Sequence, residues 1–183
     1  MDSDIFHTLS SLYMAMDQAW NQIAVQYDFQ CEGCEDNCCR SLFFHHTFVE
    51  KAFLLQGFGQ LTPPAREKAL AKARTYCDKT FSGPVPGISL KLMCPLNEED
   101  KCILYPYRPM ICRLHGLPHE LHMPGQAPMK GPGCHAGPFD SRPYIPFDRT
   151  FFYREMAKIE MQFKPRADQT GRIKETISQM LIL

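Results

Sequence analysis

Nine cysteines occur in this 183-residue chain, and four of them fall within nine positions, Cys31-Glu-Gly-Cys34-Glu-Asp-Asn-Cys38-Cys39. A C-x-x-C turn places two sulfurs on one ion, and Gly33 lets the backbone turn tightly around it. Neighbouring side chains usually point apart. Cys38 and Cys39 therefore either serve two different centres, or divide between a ligand and a core residue. A second, looser group comprises Cys94, Cys102, Cys112 and Cys134. Cys94 precedes Pro95, a pairing also found beside ligands in bacterial ferredoxins. Setting Cys77 aside leaves eight cysteines in two groups of four. That number suits two four-coordinate sites, or one cluster with accessory thiols. The alternative for any one of them is a buried cysteine with no ligand role, and for Cys77 that alternative is favoured.

Disulfides explain the pattern less well. An odd count does not suit a closed disulfide framework. The start, Met1-Asp2-Ser3-Asp4, is acidic and lacks the basic and apolar regions of a signal peptide. The expected location is the cytoplasm, where thiols stay reduced. Between metals, a structural zinc site usually pairs two C-x-x-C knuckles, and one is present here. Irregular spacing with a Cys-Pro is easier to accept for an iron–sulfur cluster or iron, with zinc as the alternative, since all-thiolate sites accept both metals.

Arg108 and Arg113 flank Cys112. They could offset the charge of thiolates and sulfides or hold an anionic ligand; the alternative is ordinary packing or surface arginine. His115, His119 and His122 follow, with His115 the best placed as an additional ligand. Pro118 and Pro124 break any helix that would align these three. No phosphate loop, dinucleotide fingerprint, H-E-x-x-H or nucleophile elbow is present. Lys plus Arg and Asp plus Glu each number 20, giving a net charge of zero. Neither a nucleic acid nor a membrane is therefore an expected partner.

Two blocks resemble the YkgJ-type cysteine-cluster family, described as carrying a zinc- or iron-chelating CxxCxxCC domain. One block is Cys31-x-x-Cys34-x-x-x-Cys38-Cys39. The other runs from Cys94-Pro95-Leu96 through Cys102-Ile103-Leu104-Tyr105 to Arg108-Pro109-Met110-Ile111-Cys112-Arg113. With Cys134 they span residues 31–134. The resemblance implies that the eight patterned cysteines chelate a metal ion or cluster. The expected function is a redox, metal-handling or partner-maturation role. A similar cysteine domain occurs in flagellin lysine N-methylases, which makes a metal-dependent enzyme the second reading. The third is a zinc-stabilised interaction module for a protein partner.

The elements that must position these thiols read as mostly helical, one domain over 1–183 with a metal-binding region at 31–134 and at most a short β-hairpin. Ile5, Leu9, Leu12, Met16, Trp20, Ile23 and Tyr27 recur at helical steps, predicting an amphipathic helix over 4–27. A second helix is expected over 46–58. Thr62-Pro63-Pro64 signals the start of a third, running through Ala65 to Lys79. Residues 81–94 read as extended, and 92–104 as a hairpin turning at Asn97 to Lys101. From Gly116 to Pro146, proline and glycine predict an irregular loop that Cys134 could tether to a metal. Asp148 caps a helix through Phe163, and Asp168 is the expected start of a last short one carrying Ile173, Ile177 and Leu181 inward.

Overall fold

The computed structural model describes residues 3–31, 38–82 and 90–182. The described residues are mostly helical, as the periodicity of the sequence implies, at 55%. Its helices among the described residues are α1 Ser3–Gln26, α2 Phe48–Gly59, α3 Pro63–Phe81, α4 Met110–Leu114, α5 Thr150–Arg166 and α6 Ile177–Ile182. Two antiparallel pairs accompany them, β1 Asn97–Glu98 with β2 Lys101–Cys102, and β3 His119–Leu121 with β4 Met129–Gly131. Among the described residues no helix is long and apolar enough to cross a membrane. The chain divides into two compact units. The first comprises Met1–Cys34 and Met110–Gln169, the second Glu35–Pro109 and Thr170–Leu183.

The first unit is organised by α1, which packs against α4 and α5. Ile5, Leu9, Leu12, Tyr13 and Met16 form its buried stripe, and Phe6 stacks on Phe163 of α5 at 6.1 Å. Trp20 and Ile23 of the expected stripe are only half buried, while Tyr27 is fully buried beyond the helix end. The Asp148 carboxylate accepts the Thr150 N–H at 2.8 Å, but the N-cap position falls to Arg149, whose side chain makes no cap hydrogen bond, so the expected cap at Asp148 is displaced by one residue. Asp168 plays a different part from the expected one. It sits at φ 51° past the end of α5, and the following Gln169 N–H returns to the Lys164 carbonyl at 2.9 Å. This is a left-handed helix stop.

The second unit packs α3 and α2 against α6. Its core joins Leu54 and Phe58 of α2, Ala69 and Ala73 of α3, Leu96 and Leu104 beside the hairpin, and Met180 and Leu181 of α6. The last helix starts at Ile177, behind a reciprocal cap in which Thr176 N–H donates to Gln179 Oε1 and Gln179 N–H donates to Thr176 Oγ1. His45 and Glu175 exchange both backbone hydrogen bonds, at 2.7 and 3.1 Å, and so clip the C-terminal segment to the chain before α2.

The two hairpins correct the sequence expectation of one. The first turns at Glu99 and Asp100, both at positive φ, 49° and 62°. Asn97 is therefore a strand residue opposite Cys102, not part of the turn. Two left-handed central residues match the strand twist, as in a type I′ turn. The second hairpin lies inside 116–146, where an irregular loop is expected. Gly125 at φ 72° lies in the connection, and Gly131 stands opposite His119, whose ring a Cβ would overlap. Of the expected extended run at 81–94, residues 83–89 lie outside the described residues.

Candidate thiolate centre

The second unit brings together four of the candidate ligands, Cys38, Cys39, Cys94 and Cys102, by routes that can be followed atom by atom. Cys38 and Cys39 open a 3-10 turn, Cys38–Arg40. The Cys39 carbonyl accepts the Cys94 N–H at 2.7 Å. The Cys94 carbonyl accepts the Asn97 N–H at 3.0 Å, and Asn97 pairs with Cys102 across the hairpin. The Asn97 side chain hydrogen-bonds the Cys39 sulfur, and so does the Cys38 thiol. Cys94 and Cys102 pack partly buried against the apolar core. The hydrophobic effect thus seats Leu96 and Leu104, and their positions carry the neighbouring cysteines with them.

The electrostatics favour a thiolate at Cys39. Its pKa is lowered from 9.0 to about 6. The hydrogen bond from Cys38 is the largest cause, with help from the Asn97 side chain and the Arg108 charge, against burial and Asp100. Arg108 also lies over the Tyr105 ring at 3.9 Å. Cys77, on α3 in the same unit, shifts the opposite way because burial and then Asp78 push its thiol up. That contrast fits its separation from the pattern.

In the first unit lie Cys31, Cys112 and Cys134. The Cys134 N–H donates to the Gly116 carbonyl at 2.8 Å. Gly116 lies against Phe29 and Trp20, whose rings are 6.0 Å apart, and Trp20 Nε1 donates to the His115 carbonyl at 2.8 Å. Phe29 leads into Cys31, and Cys112 lies on α4 just before His115. At φ 104° Gly116 has the backbone freedom this crossing needs. The 116–146 segment is therefore held by a hairpin and by this hydrogen bond. Cys34 lies outside the described residues.

The two arginines part ways. Arg113 is buried, at 6% exposure, with its Nη1 2.5 Å from Asp17 and its guanidinium 4.1 Å over the Tyr13 ring. Both partners are on α1, so Arg113 ties α4 to α1 as a packing cation. Arg108 acts on Cys39 through its charge. Among the histidines, His119 is half buried and its pKa is lowered by burial and by Arg149. His122 Nε2 contacts Glu120 Oε1 at 3.1 Å. The sequence reading missed Asn97. Its only signal was a polar residue between Cys94 and Cys102.

The eight described cysteines carry thiols, Cys31 exposed and the others partly buried. Among the described residues no three His, Cys, Asp or Glu side chains stand as a preformed ion-binding group. The donor set in the second unit nonetheless fits a soft or borderline metal. It consists of thiols on backbone segments that are hydrogen-bonded to one another, one of them already favouring its anionic form, with the Arg108 charge acting on it. Compared with family models, curated proteins and solved structures, the chain matches none.

Proposed function

We propose that this chain is a thiolate metal-binding protein of the YkgJ-type cysteine-cluster kind, with a redox, metal-handling or partner-maturation role. The observation that carries the reading is the chain of backbone contacts that joins Cys39, Cys94 and Cys102 through Asn97, with Cys38 hydrogen-bonded to Cys39, in one unit. Ions bound by cysteine require the thiolate form, and the lowered Cys39 reduces the proton that must leave on loading. An iron–sulfur cluster or iron is the first choice of occupant, and zinc the alternative, since both accept sulfur ligands. Bound there, either would supply a centre held by Cys38, Cys39, Cys94 and Cys102, with Arg108 offsetting thiolate charge. Cys31, Cys34, Cys112 and Cys134 are the remaining candidate ligands.

Elemental analysis with an absorption spectrum on anaerobically purified protein tests this. Iron with inorganic sulfide and broad visible absorption identifies a cluster; zinc in a colourless protein identifies the alternative. Protein that folds normally, carries no metal and takes up neither metal in titration overturns the reading.

A further inference from the structure

Asn97 is only 6% exposed, so its polar groups must be satisfied within the protein. They are satisfied by the cysteines and by α3. Its N–H donates to the Cys94 carbonyl at 3.0 Å, and its carbonyl accepts Lys72 Nζ from α3 at 2.9 Å. Its backbone faces Cys102 in the β1–β2 ladder, and its side chain hydrogen-bonds the Cys39 sulfur. A carboxamide donates only through its N–H groups, so the bond to sulfur is N–H···S.

We propose that Asn97 is the positioning residue of the second unit's thiolate set, orienting the Cys39 sulfur through its side chain while its backbone holds Cys94 and Cys102. The proposal rests on the metal-binding reading above. Several thiolates on one ion crowd negative charge together, and an N–H aimed at sulfur relieves part of it. Such donors behind a ligand set both its orientation and its electron density. The backbone roles of Asn97 survive side-chain replacement, so substitutions isolate the N–H···S bond.

The test is anaerobic titration of the full chain with cobalt(II), competed against a chromophoric chelator. Sulfur-to-cobalt absorption is recorded, and the cysteines protected from alkylation are mapped by mass spectrometry. Asn97→Leu removes the donor at similar size. It is expected to weaken cobalt binding roughly 10–100-fold, to shift the sulfur-to-cobalt band to lower energy, and to reduce protection of Cys39, Cys94 and Cys102. Asn97→Gln, which keeps a donor, is expected to recover part of the affinity and the band position. Should Asn97→Leu fail to fold by circular dichroism, Asn97→Ala gives the same donor-free comparison without adding charge. Wild-type affinity and band position in the donor-free variant overturn the role of Asn97 and leave metal binding standing. Absence of any sulfur-to-cobalt band in the wild type overturns the metal-binding reading, and this proposal with it.

Discussion

In metal-free protein, Cys39 is expected to react as a thiolate well below the pH at which Cys77 does. At pH 7 a thiol titrating at about 6 is roughly 90% ionised, while one at 9.0 is roughly 1% ionised, a ratio of about 90. Lower basicity also weakens the nucleophile. With a Brønsted coefficient of about 0.4–0.5, the same difference costs roughly 20-fold in intrinsic rate. The two effects leave Cys39 only about fourfold faster than an ordinary thiol at neutral pH. The decisive observable is therefore the midpoint of the pH profile rather than the rate. An aromatic disulfide reagent, with quenched samples resolved by peptide mass spectrometry, reports both cysteines in one experiment. The Cys39 peptide should reach its plateau near pH 7, while the Cys77 peptide keeps rising beyond pH 9 because burial and Asp78 raise its thiol. Cys38→Ala removes the largest cause of the lowering and should move the Cys39 midpoint upward. The two thiols share the titration, so the low midpoint belongs to the pair, with its charge held at Cys39. A Cys39 profile that matches Cys77, or one that Cys38→Ala leaves in place, refutes the reasoning.

Other substitutions probe the frame around the thiols. Burial lowers the pKa of His45 from 6.5 to about 4, so the folded protein binds its proton less readily than the unfolded chain. His45 therefore contributes stability that is intact above pH 6.5 and lost as pH falls through 4. Urea unfolding should show about 2–3 kcal/mol lost from this group between pH 7.5 and 4.5, a loss that His45→Gln abolishes. Arg113→Ala should lower stability by about 2–3 kcal/mol in the same assay, because it removes a buried cation from Asp17 and uncovers Tyr13. It should leave metal uptake unchanged; a selective loss of uptake in stable protein would instead assign Arg113 to an anionic ligand. Gly57→Ala puts a methyl into the Tyr107 ring, whose hydroxyl donates to Gln60 at 2.9 Å. Overpacking there should cost about 1–3 kcal/mol, seen as a lower melting temperature.

The amino-acid sequence by itself determined the helical class, the main helices and the identity of the candidate thiols. Local signals suffice for these. Apolar residues at steps of three and four define α1, Thr62-Pro63-Pro64 opens α3, and Asp148 marks the approach to α5 by accepting the Thr150 N–H. The short elements escaped because local preference is weak there and distant partners decide. Packing against α1 supports the short helix α4, and β3 and β4 depend on each other across a glycine-containing connection. Asp168 could be read as a helix start or a stop, and only its left-handed backbone settled which. The cysteines divide in the same way. Their types and spacing announced sulfur chemistry. Only the fold brought Cys39 to the backbone of Cys94, set Asn97 opposite Cys102, and turned Arg108 toward the thiols and Arg113 toward α1. Linear spacing constrains neighbours a few residues apart. The meeting of residue 39 with residue 94 depends on the core beneath them, where Leu96 and Leu104 are buried against α2, α3 and α6.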